Sequence, residues 1–134
     1  NQDENKEYLN PVNRDININV ESSYVPERSN PIQPYFLFTY TVYIENNSNM
    51  TTKLLSRYWS ITDGSVMSED IYGPGVVGKT PTLRPKTSFS YSSFCPLTTP
   101  MGFMNGSFRM IYENGVEFDA EIGLFRLIAS PVLN

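Results

Sequence analysis

The chain has 134 residues, ten Lys and Arg against fourteen Asp and Glu, and a net charge of −4. That length gives one domain with one core and is too short for two, and the scattered basic residues exclude a nucleic-acid backbone as the main partner, because phosphate contacts need a basic patch. The absence of histidine removes the commonest acid–base side chain, and the single cysteine, Cys95, excludes an internal disulfide and points to a reducing, intracellular compartment, cytoplasmic or organellar.

Nine Tyr, eight Phe and one Trp favour a pleated, half-buried surface, and so a β-rich fold. Residues 1–13, NQDENKEYLNPVN, are polar, acidic and aperiodic and read as a tail; residues 14–134 form the domain. DININVE (15–21) alternates, with Ile16, Ile18 and Val20 on one face, as in a half-buried strand. PERSNPIQP (26–34) holds three prolines and reads as a loop. YFLFTYTVYIE (35–45) is the strongest strand: Phe36, Phe38, Tyr40, Val42 and Ile44 share a face, and the opposite face is semi-polar and partly exposed. NNSNM reads as a turn, and KLLSRYWSIT (53–62) as the next strand. Asp63-Gly64 signals a hairpin into SVMSEDIY (65–72). SFSYSSF (88–94) alternates with Phe89 and Tyr91 inward, and CPLTTPMGFMNG (95–106) reads as a long loop. GSFRMIY (106–112) and GVEFDAEI (115–122) flank a second hairpin signal, Glu113-Asn114-Gly115, and FRLIASP (125–131) closes the domain. No stretch of ten or more residues carries a 3.6-residue period, and no apolar run approaches a membrane span. Seven or eight short strands at this spacing predict an all-β sandwich or barrel, and two facing sheets would bury the aromatics.

Residues 73–78, Gly73-Pro74-Gly75-Val76-Val77-Gly78, have the spacing G-x-G-x-x-G, and with Lys79 and Thr80 they also meet G-x-x-x-x-G-K-T literally. Both phosphate-binding patterns require a helix directly after the glycines, whose N-terminus holds the phosphate. Pro81 and Pro85 deny this chain a regular helix there. The expected structure is a bend or bulge in which glycines permit unusual dihedrals and close backbone approach.

Strict alternation puts Arg57 on the face shared by Leu55, Trp59 and Ile61, and an inward Arg needs a carboxylate or several carbonyls. A paired structural Arg beside the glycine segment is expected over a ligand-binding one. Glu117, Asp119 and Glu121 share a strand face opposite Phe118, Ala120 and Ile122; they are weak candidates for a divalent cation, and a solvated outer face is the simpler reading. Met101, Phe103 and Met104 lie in the 95–106 loop, where they either anchor a partner protein or fold back over one end of the sandwich. Cys95 has no histidine to activate it and reads as a core or loop residue. The sequons at Asn46, Asn49 and Asn105 read as chance in an Asn-rich chain.

Four blocks, LLSRYWSITDG (54–64), IYGPGVVGKTP (71–81), SFSYSSFCPLTTPMGFMNGSFRM (88–110) and FDAEIGLFRL (118–127), resemble the ApaG domain in order, across about residues 15–131. The resemblance implies an immunoglobulin/fibronectin-III-like sandwich with the glycine segment as a family hallmark. Tyr58 stands where many members have His, which removes a metal ligand. Stand-alone bacterial members are associated with cobalt resistance and magnesium efflux. Eukaryotic relatives carry the domain in F-box and polymerase-delta-interacting proteins, where it serves protein interaction. The Ser-Phe-Cys-Pro-Leu-x-Thr-Pro block (93–100) looks closer to the bacterial or organellar type.

The reading is therefore a non-enzymatic protein-interaction or assembly module without cofactor, whose contact surface is the Gly73–Gly78 edge plus the 95–105 segment, with a homodimer through sheet edges as one form. The sequence begins at Asn1 rather than Met, and a fixed subunit of a larger complex, mitochondrial among the options, is one version of this reading. The alternative is a small-ligand or ion-homeostasis protein that binds phosphate at the glycine segment or a divalent cation at the three carboxylates.

Overall fold

A computed structural model describes residues 15–130. The expected tail at 1–13 lies outside them. The strands are β1 (Ile16–Tyr24), β2 (Phe36–Asn46), β3 (Thr52–Asp63), β4 (Ser68–Pro74), β5 (Thr82–Leu83), β6 (Ser88–Leu97), β7 (Met101–Tyr112) and β8 (Glu117–Ile128). One sheet has the order β1-β2-β6, and the other β4-β3-β7-β8 with the short β5 on the end of β3. All pairings are antiparallel. The predicted sandwich is what forms, and its three-plus-four strand order is that of the fibronectin-III-like arrangement.

The core sits between the sheets and is built from the predicted alternation. Phe36, Phe38, Tyr40, Val42 and Ile44 of β2 are all buried. The opposite β2 face is half-exposed except at Leu37, which lies beneath the 3-10 turn at Pro26–Arg28; the Val25 amide donates to the Leu37 carbonyl (2.8 Å). Aromatic rings lock one sheet to the other. Tyr40 of β2 meets Trp59 of β3 edge-on at 5.3 Å, and Tyr91 of β6 meets Phe108 of β7 at 6.3 Å. Such pairs contribute about 0.5–1.5 kcal/mol each beyond area burial.

Two bulges correct the simple alternation. Register shifts between Leu54 and Ser56, so Leu54, not Leu55, takes the fully buried position. Arg57, Trp59 and Ile61 then follow on the inner face as expected. A second shift between Met104 and Gly106 lets β8 run unbroken from Glu117 to Ile128, where the sequence pattern predicts two strands.

The long loop expected at 95–106 is not a loop. Cys95–Leu97 end β6, Met101 begins β7, and only residues 98–100 turn between them. Gly102 and Gly106 mark close strand approach instead of loop: a Cβ on Gly106 would lie 2.0 Å from the Tyr58 carbonyl oxygen, and one on Gly102 2.7 Å from that of Thr62.

The NNSNM turn is held by two side chains, Asn46 and Ser48, whose hydroxyl bonds the Met50 backbone. Asn46 is fully buried, donates from Nδ2 to the Met50 (2.9 Å) and Leu83 (3.0 Å) carbonyls, and accepts at Oδ1 from the Ser48 amide and hydroxyl. A buried amide with these bonds made avoids the cost of unsatisfied polar atoms, and this one is closed to glycosylation.

Candidate functional site

Each glycine of the 73–78 segment has its own local reason. Val76 and Lys79 exchange backbone hydrogen bonds (2.8 and 2.9 Å), and the two residues between them, Val77 and Gly78, have φ of 42° and 77°. Positive φ at both central positions is the type I′ hairpin turn, which favours glycine at the second. Gly75, at φ 57°, passes so close to the returning chain that a Cβ would lie 2.2 Å from the Lys79 carbonyl oxygen. Gly73 is half-buried and makes room for an arginine: a Cβ there would lie 2.6 Å from Arg57 Nη2 and 2.7 Å from Cζ.

Arg57 Nη1 donates to the Pro74 and Gly75 carbonyls, both at 2.9 Å. The guanidinium thus ties β3 to the start of the turn. The predicted bend therefore holds in a specific form, and a phosphate cradle does not fit it. The Gly75 amide donates to Leu55 O, and the Val76 and Lys79 amides are spent on each other's carbonyls. No helix follows; the chain goes into β5.

Beside this segment, β4 ends its sheet with one edge unpaired among the described residues. Large apolar side chains stand exposed at its two ends and on it: Val66 (80%) and Met67 (69%) in the turn before it, Tyr72 (73%) on the strand, and Val77 (53%) in the turn after it. Val66 itself has φ 67°, in the turn that Asp63 closes by accepting from the Ser65 and Met67 amides. The sequence pattern singles out the glycine end of this edge and not the exposed apolar residues at its other end, because Val66 and Met67 read as strand residues when SVM is assigned to β4.

Other candidate residues fall elsewhere. Met104, expected on a loop that either anchors a partner or folds back over the sandwich, is a core residue of a strand, while Met101 is 39% exposed and Phe103 half-buried on the outer face of β7. The three therefore do not form one patch. Glu117, Asp119 and Glu121 do share an exposed face of β8, but Arg109 of β7 holds Glu117 (3.0 Å) and Asp119 (3.2 Å). Among the described residues no group of three His, Cys, Asp or Glu is placed to hold a metal. Tyr58 faces outward, donates to Asp70 Oδ1 (3.1 Å) and lies 4.8 Å from the Tyr72 ring. Cys95 is buried, and burial, with a smaller contribution from Glu69, pushes its thiol up to about 11.

Residues 26–112 match the profile of the ApaG domain. The chain belongs to the ApaG family. It is 50% identical to protein ApaG of Methylocella silvestris over 116 residues, covering 87% of this chain and 89% of the relative. It is 40% identical to protein ApaG of Shewanella pealeana over 126 residues, covering 94% and 100%. Among solved structures, the Bordetella pertussis protein described as ApaA superposes with a TM-score of 0.83 at 42% identity, covering 85% of this chain and 93% of that one. ApaG membership agrees with the glycine segment, the Arg57–Trp59 block and the sandwich together. In this ApaG chain no helix among the described residues is long and apolar enough to cross a membrane.

Proposed function

We propose that this ApaG domain is a non-enzymatic protein-interaction module that takes an extended segment of a partner protein along the free edge of β4. The observation that carries the reading is an unpaired strand with exposed apolar residues on it and at both its ends, Val66 and Met67, Tyr72, and Val77. Strand addition supplies affinity through main-chain hydrogen bonds, and flanking side chains supply specificity. An uncovered apolar edge is otherwise an aggregation hazard. The absence of histidine and the buried, protonated Cys95 thiol support the non-enzymatic part.

The test is capture from a lysate of the native cells with the tagged wild-type chain and with Met67→Asp/Tyr72→Asp. Both substitutions are at exposed positions, so the fold should survive. A stoichiometric partner protein held by the wild type and lost by the double variant is the expected result. A partner held equally by both, or no partner for a folded wild-type chain, would overturn the reading. Self-association that the double variant abolishes would replace the partner by a second copy of the chain.

A further inference from the structure

A cleft of about 570 Å³ opens between the edge strands of the two sheets, β4 on one side and β6 on the other. Volumes of this order suit small ligands. Its lining is mixed: Trp59, Ile71, Leu97 and Met104 supply an apolar wall, and polar and charged groups line the rest. Arg57 lines it from β3; Tyr40 and Ser93, directly opposite each other in the β2–β6 register, line the facing wall. Burial keeps the Tyr40 hydroxyl above its ordinary pKa, so it stays a neutral donor.

Arg57 is the unusual group. Nη1 is fixed by two carbonyls, while Nε and Nη2 donate to no described residue. Both ion pairs of the described residues belong to Arg109, so no described carboxylate neutralises Arg57. A half-buried guanidinium, held rigid with its remaining donors open, is pre-organised for a planar anion. Two acidic residues also reach the cleft. Asp63 Oδ1 is engaged by the Ser65 and Met67 amides. Glu69 is four residues along β4 from Gly73, the register partner of Arg57, so at about 3.3 Å per residue its backbone lies roughly 13 Å from that point. Its charge, at the far end, opposes a second negative group and leaves the near end positive.

We propose that this cleft binds a small organic monoacid, its carboxylate on Arg57 and its aromatic or aliphatic tail between Trp59, Ile71 and Met104. The cleft shares Met67 with the β4 edge, but it takes a small molecule through Arg57 and its test does not depend on the partner-binding reading. Phosphate is disfavoured, because it brings more charge and no apolar tail.

The experiment is a titration of the ¹⁵N-labelled chain, with the Trp59 indole and Arg57 Nε signals followed by NMR, using phenylacetate, its neutral isostere phenylacetamide, and inorganic phosphate. Phenylacetate should give saturable shifts at both signals with Kd on the order of millimolar. Phenylacetamide should bind at least about tenfold more weakly, as expected when a charge-assisted bond is lost, and phosphate should give no saturable shift. Arg57→Lys should weaken phenylacetate binding. Because Arg57 also braces the glycine turn, the acid–amide comparison on the wild-type chain stands independently of that variant. Equal binding of acid and amide, saturable phosphate binding at Arg57, or no saturable shift with phenylacetate would each overturn the proposal.

Discussion

Gly75 and Gly78 carry the same letter in the same motif for different physical reasons, and substitution separates them. Gly78 has φ 77°, and a Cβ added there would meet nothing within 4 Å, so Gly78→Ala meets only the left-handed backbone cost, about 1–2 kcal/mol. Gly75→Ala meets that cost and a backbone oxygen at 2.2 Å, so the turn itself must shift. We expect its loss of stability in urea unfolding to exceed that of Gly78→Ala by at least about 2 kcal/mol. Equal losses would mean that the close approach at Lys79 is absent. Cys95 gives a pH test at the same scale. Its folded pKa of about 11 stands above the ordinary 9.0, so the native state binds the extra proton between those values. The stabilisation is complete below pH 9 and is lost as pH rises through 11, up to about 3 kcal/mol. Replacing Cys95 by Ala should therefore remove part of the fall in urea midpoint between about pH 9 and 10, the rest coming from tyrosines that the fold keeps protonated; an unchanged slope would contradict the buried thiol.

For the strand as an element, β7 decides between two readings of one stretch. Met104 is 1% exposed and Met101 39% exposed, on opposite faces of the same strand. Met104→Asp buries an unpaired charge and should cost more than about 4 kcal/mol, unfolding the domain at moderate temperature. Met101→Asp should stay within about 0.5 kcal/mol of the wild type by thermal denaturation. Comparable effects would return both residues to an exposed loop. The gap between pattern and structure here is physical. Gly102, Gly106 and two prolines look like loop chemistry, yet the glycines serve strand contact, and Gly106 sits where a bulge resets the register. Alternation alone cannot see a bulge, which is why it selects Leu55 where Leu54 is buried and divides β8 in two. Where no bulge intervenes, as along β2 and across Glu117–Ile122, the period-2 pattern assigns every inward residue.

Across the whole molecule, the sandwich and the family are legible in the sequence because many weak signals agree: strand spacing, aromatic alternation, two hairpin turns and four ordered blocks. The cleft and the full β4 edge are not, since both depend on which strands lie at sheet margins, and no short-range pattern encodes that. The same topology explains the division of labour. Tyr40, Trp59, Phe108 and Tyr91 join the sheets, β7 and β3 are paired on both sides, and β4 is left with a free edge. The glycine segment serves this frame by reversing the chain at the end of that edge and seating Arg57. Binding along β4 is tested most sharply by hydrogen exchange of the backbone amides, free and in complex with the partner that the wild-type chain captures. Amides within Ser68–Tyr72 should exchange at least about tenfold more slowly in the complex, as added cross-strand bonds require, with the edges of β1 and β8 unchanged. Protection confined to β1 or β8, with β4 exchanging as in the free chain, would show that the partner binds elsewhere.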